Sequence, residues 1–156
     1  MVALTLLVHW LHIAAAITWM GVQVTIALVV FPALATRPAS EARPFLRALI
    51  DRIPRIMQVS GIGVLVLGIV RGTVLGPIRS WDALGSRYAL LMGVAIVAMF
   101  AMIGYGQKAG PVLMTKVWDG DTVRPGAQDV LRRHALIVFS GLAVITLCMV
   151  AMRFGV

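Results

Sequence analysis

Two histidines near the N-terminus have the spacing and the apolar surroundings of a buried ligand pair. They belong to a series that alternates spacings of four and three residues: Thr5, His9, His12, Ala16, Trp19 and Gln23. Such a series lies on one face of an α-helix. Ionisable side chains within a membrane span usually face the bundle interior and mark functional sites. His9 and His12 are therefore candidate ligands, and the structural alternative is an interfacial His9 with a His12 that bonds another helix.

The third apolar segment carries a matching series rich in methionine: Tyr88, Met92, Ala95, Met99, Met102 and Gly106. Methionine is a soft ligand, but it also fills irregular gaps between packed helices. His12 and Met92 each lie a few turns from the same end of their segments. We therefore expect them to face each other, with helix packing as the alternative interpretation of the methionines.

The fourth apolar segment brings further sulfur atoms to the same level as the two histidines, in Cys148, Met149 and Met152. His134 begins this segment at its opposite end. A helix rises about 1.5 Å per residue, which separates His134 from the histidine site by roughly 20 Å. We expect His134 to lie at the membrane interface, near Gln58 or the basic connections, rather than in the site.

Glycines in the second apolar segment allow close approach of another group: Gly61, Gly63, Gly68 and Gly72. Tight helix packing is the simpler interpretation, because small residues four apart let two helices approach closely. The same residues could also leave a flat gap that admits a planar macrocycle. Arg71 and Arg87 could then meet its anionic groups, or could instead extend to lipid headgroups.

The composition places these series in a membrane. The chain has 156 residues, of which 60% are hydrophobic and 13% charged, with a mean hydropathy of +0.96. This excludes an ordinary soluble enzyme, a disordered chain and a nucleic-acid binder with a charged face. We predict a single membrane domain over 1–156, an all-α four-transmembrane-helix bundle with spans near 2–34, 56–75, 88–105 and 135–152.

The connections differ in length and character. Thr36 to Arg55 combines arginines with apolar residues at helical spacing, which predicts a short interfacial amphipathic helix between the first two spans. The connection from Gln107 to Arg133 is expected to be irregular, since it is interrupted by Pro111 and by Pro125-Gly126.

Basic residues predict the orientation of the chain. The first and third connections hold ten of the fourteen Lys and Arg residues, and the opposite side holds four. The positive-inside rule then places those connections in the cytoplasm and both termini outside. We attribute the formal charge of +8 to orientation and headgroup contact, not to nucleic acid.

Other functional classes lack their signatures in the sequence. There is no phosphate-binding glycine loop, no CxxC pair and no pair of carboxylates within a span. This argues against a carboxylate-driven antiporter. The single cysteine, Cys148, cannot form an internal disulfide.

Short motifs in the first and third spans resemble the CopD-like family (copper resistance protein D) and the related membrane-type protoporphyrinogen oxidases of bacteria, and the four-span layout agrees across nearly the whole chain. The motifs are His12, Trp19, Gly21 and Phe31-Pro32 in the first span, and Trp81 followed by Tyr88-Ala89-Leu90-Leu91-Met92 at the third. The resemblance implies a four-span protein of a bacterial-type inner (plasma) membrane.

The resemblance also implies a cofactor. In the oxidase family, a histidine of the first helix and a lysine of the third are associated with b-type haem, and the matching positions are His12 and Met92. Methionine in place of lysine argues against protoporphyrinogen oxidation, although histidine with methionine is an established pair of haem ligands. The copper-resistance comparison implies copper handling, for which thioethers favour Cu(I).

Three hypotheses follow. The first is a b-type haem protein, with or without haem-dependent oxidoreductase activity, whose site in the outer half of the bundle contains His12, Met92, Arg71 and Arg87. The second is a copper uptake or tolerance protein whose site draws on His9, His12, Met92, Cys148, Met149 and Met152. The third is a non-catalytic membrane subunit. In each case we expect contact with the lipid bilayer, and with a second copy or a membrane redox partner.

Overall fold

The fold consists of four long helices. The computed structural model describes residues 2–155, and of Ile50 only the backbone. Helix α1 (Val2–Thr25) continues through a π-helical segment, Ile26–Val30, into the short helix α2 (Phe31–Leu34). The other three are α3 (Ala39–Gly72), α4 (Arg87–Val117) and α5 (Ala127–Phe154).

Within the described residues, four helical stretches are long and apolar enough to cross a membrane: Val2–Leu34, Ala39–Gly72, Arg87–Val117 and Ala127–Phe154. Many of their large apolar side chains face outward; Leu90 and Leu147 are 68% and 67% exposed. Helices that are apolar all round require lipid, because water would penalise this surface. The chain is thus a multi-pass membrane protein, and the predicted all-α four-helix bundle is confirmed.

The amphipathic segment after the first span is not a separate helix. It forms the first half of α3, whose 34 residues correspond to about 51 Å at about 1.5 Å per residue. The helix continues through Pro44 and Pro54. We attribute this to packing, because Ala42 and Leu46 are buried in the core and compensate for the backbone hydrogen bonds that the prolines remove.

The expected break at Pro111 is also absent, since α4 continues to Val117. Leu113 and Val117 are buried on the far side of the proline, and their packing favours a continuous helix. The third connection therefore shortens to 118–126, and it contains a small antiparallel hairpin of β1 (Trp118–Asp119) and β2 (Thr122–Val123).

The helices pack as two pairs, α1 with α3 and α4 with α5, and the pairs contact each other much less than the helices within each pair do. We call the end of the bundle where α1 and α4 begin the cavity end. At the other end, which we call the clasp end, both pairs contribute to one buried cluster: Phe31, Ala35, Ala39, Ala42, Leu46, Ala109, Leu113, Val117, Trp118, Ala127 and Leu131.

The hairpin fastens the two pairs together at the clasp end. Asp121 accepts hydrogen bonds from the Ser40 amide at 2.6 Å and from the Ser40 hydroxyl at 3.1 Å, at the start of α3. The indole of Trp118 donates to the carbonyl of Arg37 at 3.0 Å. The bonds from Ser40, with a smaller contribution from Arg43, lower the pKa of the Asp121 carboxyl from its ordinary value of 3.8.

Candidate functional site

A cavity of about 440 Å³ lies between the helix pairs at the cavity end. This volume lies within the range of sites that hold small organic ligands and cofactors. Six of the eight predicted site residues line it: His9, His12, Arg71, Met92, Met149 and Met152. The series on the first and third spans therefore converge on one cavity.

The His12 ring packs against α3 at Gly68, where the helix carries no side chain. A β-carbon added at Gly68 would lie only 3.0 Å from Cε1 of the imidazole, so the ring packs where any larger residue would intrude. The ring also lies near the backbone of Val64, one turn before Gly68 on α3. Its Nδ1 atom is buried and has no hydrogen-bond partner. A buried imidazole nitrogen without a protein partner is available to a further group such as a metal ion.

His9 lies one turn closer to the mouth of the cavity, and its Nδ1 is likewise buried without a hydrogen-bond partner. Buried polar atoms in native proteins are nearly always paired with protein groups or water. Two unpaired imidazole nitrogens in one cavity thus indicate a place for a further group that would pair with them.

Met92, on α4, packs against the next turn of the same face of α3. A β-carbon at Gly72 would lie 2.6 Å from Met92 Sδ and 3.5 Å from Tyr88 Cε1. Residues four apart on a helix are neighbours, with β-carbons about 5–6 Å apart. The His12 ring and the Met92 sulfur therefore lie on adjacent turns of one surface of α3. The glycines make room for these two side chains.

Trp19 forms part of the interior wall of the cavity. It is 2% exposed and lines the cavity together with Met99. Gly61 permits its position, since a β-carbon there would lie 3.2 Å from the indole Nε1. The second residue of the first-span motif thus packs beside the site and helps to close it toward the clasp end.

Two predicted site residues lie elsewhere. Arg87 is exposed at the start of α4 and is not among the described residues that line the cavity. Cys148 is buried but likewise does not line it. Successive residues of a helix point about 100° apart, so Met149 can face the cavity while Cys148 does not.

Arg153 lines the cavity, whereas the positions of the segment ends predict this role for Arg87. A signal was present, because Arg153 follows Met149 by four residues and so shares its helix face. The connection after α3 also contributes to the mouth, through Leu75, Gly76 and Pro77.

His134 lies buried inside the bundle, next to the cluster at the clasp end. It is 6% exposed, and its Nδ1 lies 2.8 Å from the hydroxyl of Tyr105. Its ring stacks on Tyr105 and meets Phe31 edge to face, with centroids 5.5 and 5.6 Å away. The tyrosine supplies the polar partner that allows a buried imidazole. His134 is not among the described residues that line the cavity, as expected.

No group of three or more His, Cys, Asp or Glu residues able to hold a metal ion occurs in the described part of the chain. A metal in this cavity would therefore need thioether ligands beside the imidazoles. No family model, curated protein or solved structure matched the chain. The fold and the site define a multi-pass, four-helix membrane protein with a cavity of imidazole, thioether and guanidinium groups.

Proposed function

We propose that this protein binds b-type haem in the cavity, with His12 and Met92 as its axial ligands. The main support is the buried, unpaired Nδ1 of His12 in a cavity of about 440 Å³ that Met92 also lines. Four-helix bundles commonly hold cofactors between facing helices. Arg71 lines the same cavity and would pair with carboxylates of the ring.

The chemistry of the lining residues suits this group, because imidazole and thioether are an established pair of haem ligands. Haem would supply one-electron chemistry, and the protein would set its ligands and surroundings. Gly68 accommodates the His12 ring, whereas Gly72 accommodates the Met92 thioether. Apolar lining residues such as Ile13 and Ile145 would exclude water from the ring. Such a protein would pass electrons within a bacterial plasma membrane, through a second copy or a redox partner.

Copper binding is the second candidate, and a specific observation favours it. The unpaired Nδ1 atoms of His9 and His12 lie in the cavity that the thioethers of Met92, Met149 and Met152 also line. Imidazole and thioether together suit copper, and thioether favours Cu(I). Cys148 is omitted from this set because it does not line the cavity.

Absorption spectra test the two candidates against each other. The detergent-purified protein, supplied with haem, would be recorded oxidised and dithionite-reduced, with copper quantified in the same sample. We expect a Soret band with sharp reduced α and β bands, lost in His12→Ala and altered in Met92→Leu. Met114→Leu is the matched control, because Met114 is partly buried outside the cavity lining.

Each other result has a defined meaning. Stoichiometric copper without a Soret band would reject haem and support copper handling. Neither haem nor copper would reject both candidates and favour a non-catalytic membrane subunit. An unchanged haem content in His12→Ala would refute His12 as a ligand.

A further inference from the structure

We infer that the mouth of the cavity is an oxyanion site, formed by Arg71 and Arg153, for an amphiphilic ligand that carries a carboxylate. For haem itself the inference rests on the proposed function, because haem is one such ligand. The charge of the mouth, however, is a property of the chain's own residues. The proposed site gives Arg153 the role that the sequence had suggested for Arg87, which is to pair with anionic groups of the ligand.

The charge at the mouth is unbalanced. Arg71 and Arg153 both line the cavity, and none of its described lining residues is acidic. Neither arginine forms an ion pair within residues 2–155. Both guanidinium groups lie close enough to His9 to interact with it electrostatically. A partly enclosed site with two cations and no acid attracts an anion.

Helix ends do not neutralise these cations. Arg71 lies in the last turn of α3 and Arg153 in the last turn of α5. The carboxyl end of a helix carries roughly half a negative charge, which stabilises one nearby cation in part. Two full positive charges at one mouth therefore leave an excess of positive charge, which an oxyanion would offset.

Four other arginines within residues 2–155 bind protein groups, and three of them show the contrast with the cavity mouth. Arg37 pairs with Glu41 at 3.0 Å, and Arg124 lies 3.4 Å from Asp119. Arg79 donates to the carbonyl of Gly76 at 3.1 Å, in the connection that lines the mouth. Arg71 and Arg153 differ from the other described arginines because they line the cavity, where their guanidinium donors would face a ligand.

The interior of the cavity specifies the rest of the ligand. Beyond the arginines the walls are aliphatic, thioether and aromatic, with Leu65, Ile96 and Met99 among them. A small inorganic anion would leave this surface uncovered. An apolar body with a terminal carboxylate would bury that surface while its charge stays at the mouth.

Lipid phosphate shares this oxyanion chemistry, so the test must separate the two sources. We would use native mass spectrometry of the protein released from a zwitterionic detergent, which counts bound molecules directly. The probes are 1-pyrenebutyric acid and its methyl ester, which share a flat apolar body and differ in charge. Because they contain no iron, their binding does not depend on metal ligation by His12 or Met92.

We expect the acid to bind about tenfold more tightly than the ester, as for charge-assisted hydrogen bonds to a carboxylate. The double variant Arg71→Gln, Arg153→Gln is expected to bring this ratio close to one. Arg87→Gln is the control, because it removes a positive charge from the same end of the bundle at a residue outside the cavity. Equal binding of acid and ester, or a preference that survives the double variant, would overturn the proposal.

Added lipid identifies the source of the oxyanion. If phosphatidylglycerol displaces the acid but phosphatidylcholine does not, the arginines hold an oxyanion and an anionic lipid is their competing ligand. If the acid stays bound in both, the site selects carboxylates. A wild-type protein without a haem spectrum that still prefers the acid would reject the proposed function and leave the oxyanion site standing.

Discussion

Met92 packs directly against Gly72, where an added β-carbon would lie 2.6 Å from its sulfur. The same helix presents Gly68 to His12 one turn earlier. These contacts make α3 the surface against which both proposed ligands are held, although α3 itself supplies neither of them. Changes on α3 should therefore tune the site without removing a ligand.

Gly72→Ala is expected to displace the Met92 sulfur and lower the midpoint potential of bound haem, because thioether ligation raises it. The protein should still fold, since the Met92 side chain is flexible and can move aside. Redox titration with optical detection measures the effect. Gly93→Ala is the control, because nothing lies within 4 Å of a β-carbon there. Equal potentials in the two variants would contradict the proposed role of Met92.

Tyr105→Phe is expected to destabilise the protein by about 1–3 kcal/mol, the usual penalty for leaving a buried polar group unpaired. The buried partner is Nδ1 of His134, 2.8 Å from the tyrosine hydroxyl. Unfolding in detergent, followed by circular dichroism, provides the measurement. Tyr88→Phe serves as the control, because it removes a hydroxyl from the cavity wall rather than from this pair. A Tyr105→Phe protein as stable as wild type would show that the hydrogen bond contributes little.

Protonation of Asp121 at low pH should weaken its hydrogen bonds to Ser40 at the clasp end. Its folded-state pKa is lowered by hydrogen bonds from Ser40, so the carboxylate stabilises the fold above its ordinary pKa of 3.8. That contribution is lost as the pH falls through the depressed folded value, when the carboxyl becomes protonated. We expect faster amide hydrogen exchange at Ala39 and Ser40 in that range, after correction for the intrinsic rate.

Asp121→Asn should exchange faster at these amides already at neutral pH and lose the acid dependence. Asp119→Asn is the matched control, because it removes a carboxylate from the same hairpin but not from Ser40. Equal acid sensitivity in wild type and Asp121→Asn would assign the effect to another group.

The orientation predicted from the basic connections can be tested by cysteine labelling in a Cys148→Ser background. Ser80 and Thr122 are exposed in the connections at opposite ends of the bundle. An impermeant maleimide applied to intact cells should label Ser80→Cys but not Thr122→Cys, because the clasp end carries most of the basic charge. The reverse pattern would place both termini in the cytoplasm.

The sequence by itself determined the class of fold and the helix faces of the candidate site. Long apolar runs must form helices in lipid, where each backbone group needs an internal partner. Helical periodicity then put His9 and His12 on one face, and Met92 on a matching face of another helix. These conclusions depend only on local geometry and composition, which a single sequence contains.

Only the tertiary structure decided which helix faces contact each other and which side chains line the cavity between them. It brought Arg153 to the cavity in place of Arg87, left Cys148 outside the lining, and gave His134 a buried partner in Tyr105. Packing beyond Pro111 also kept α4 continuous where a local rule predicts a break. Each outcome depends on the relative rotation and register of helices distant in sequence, which contacts between helices determine and local periodicity does not.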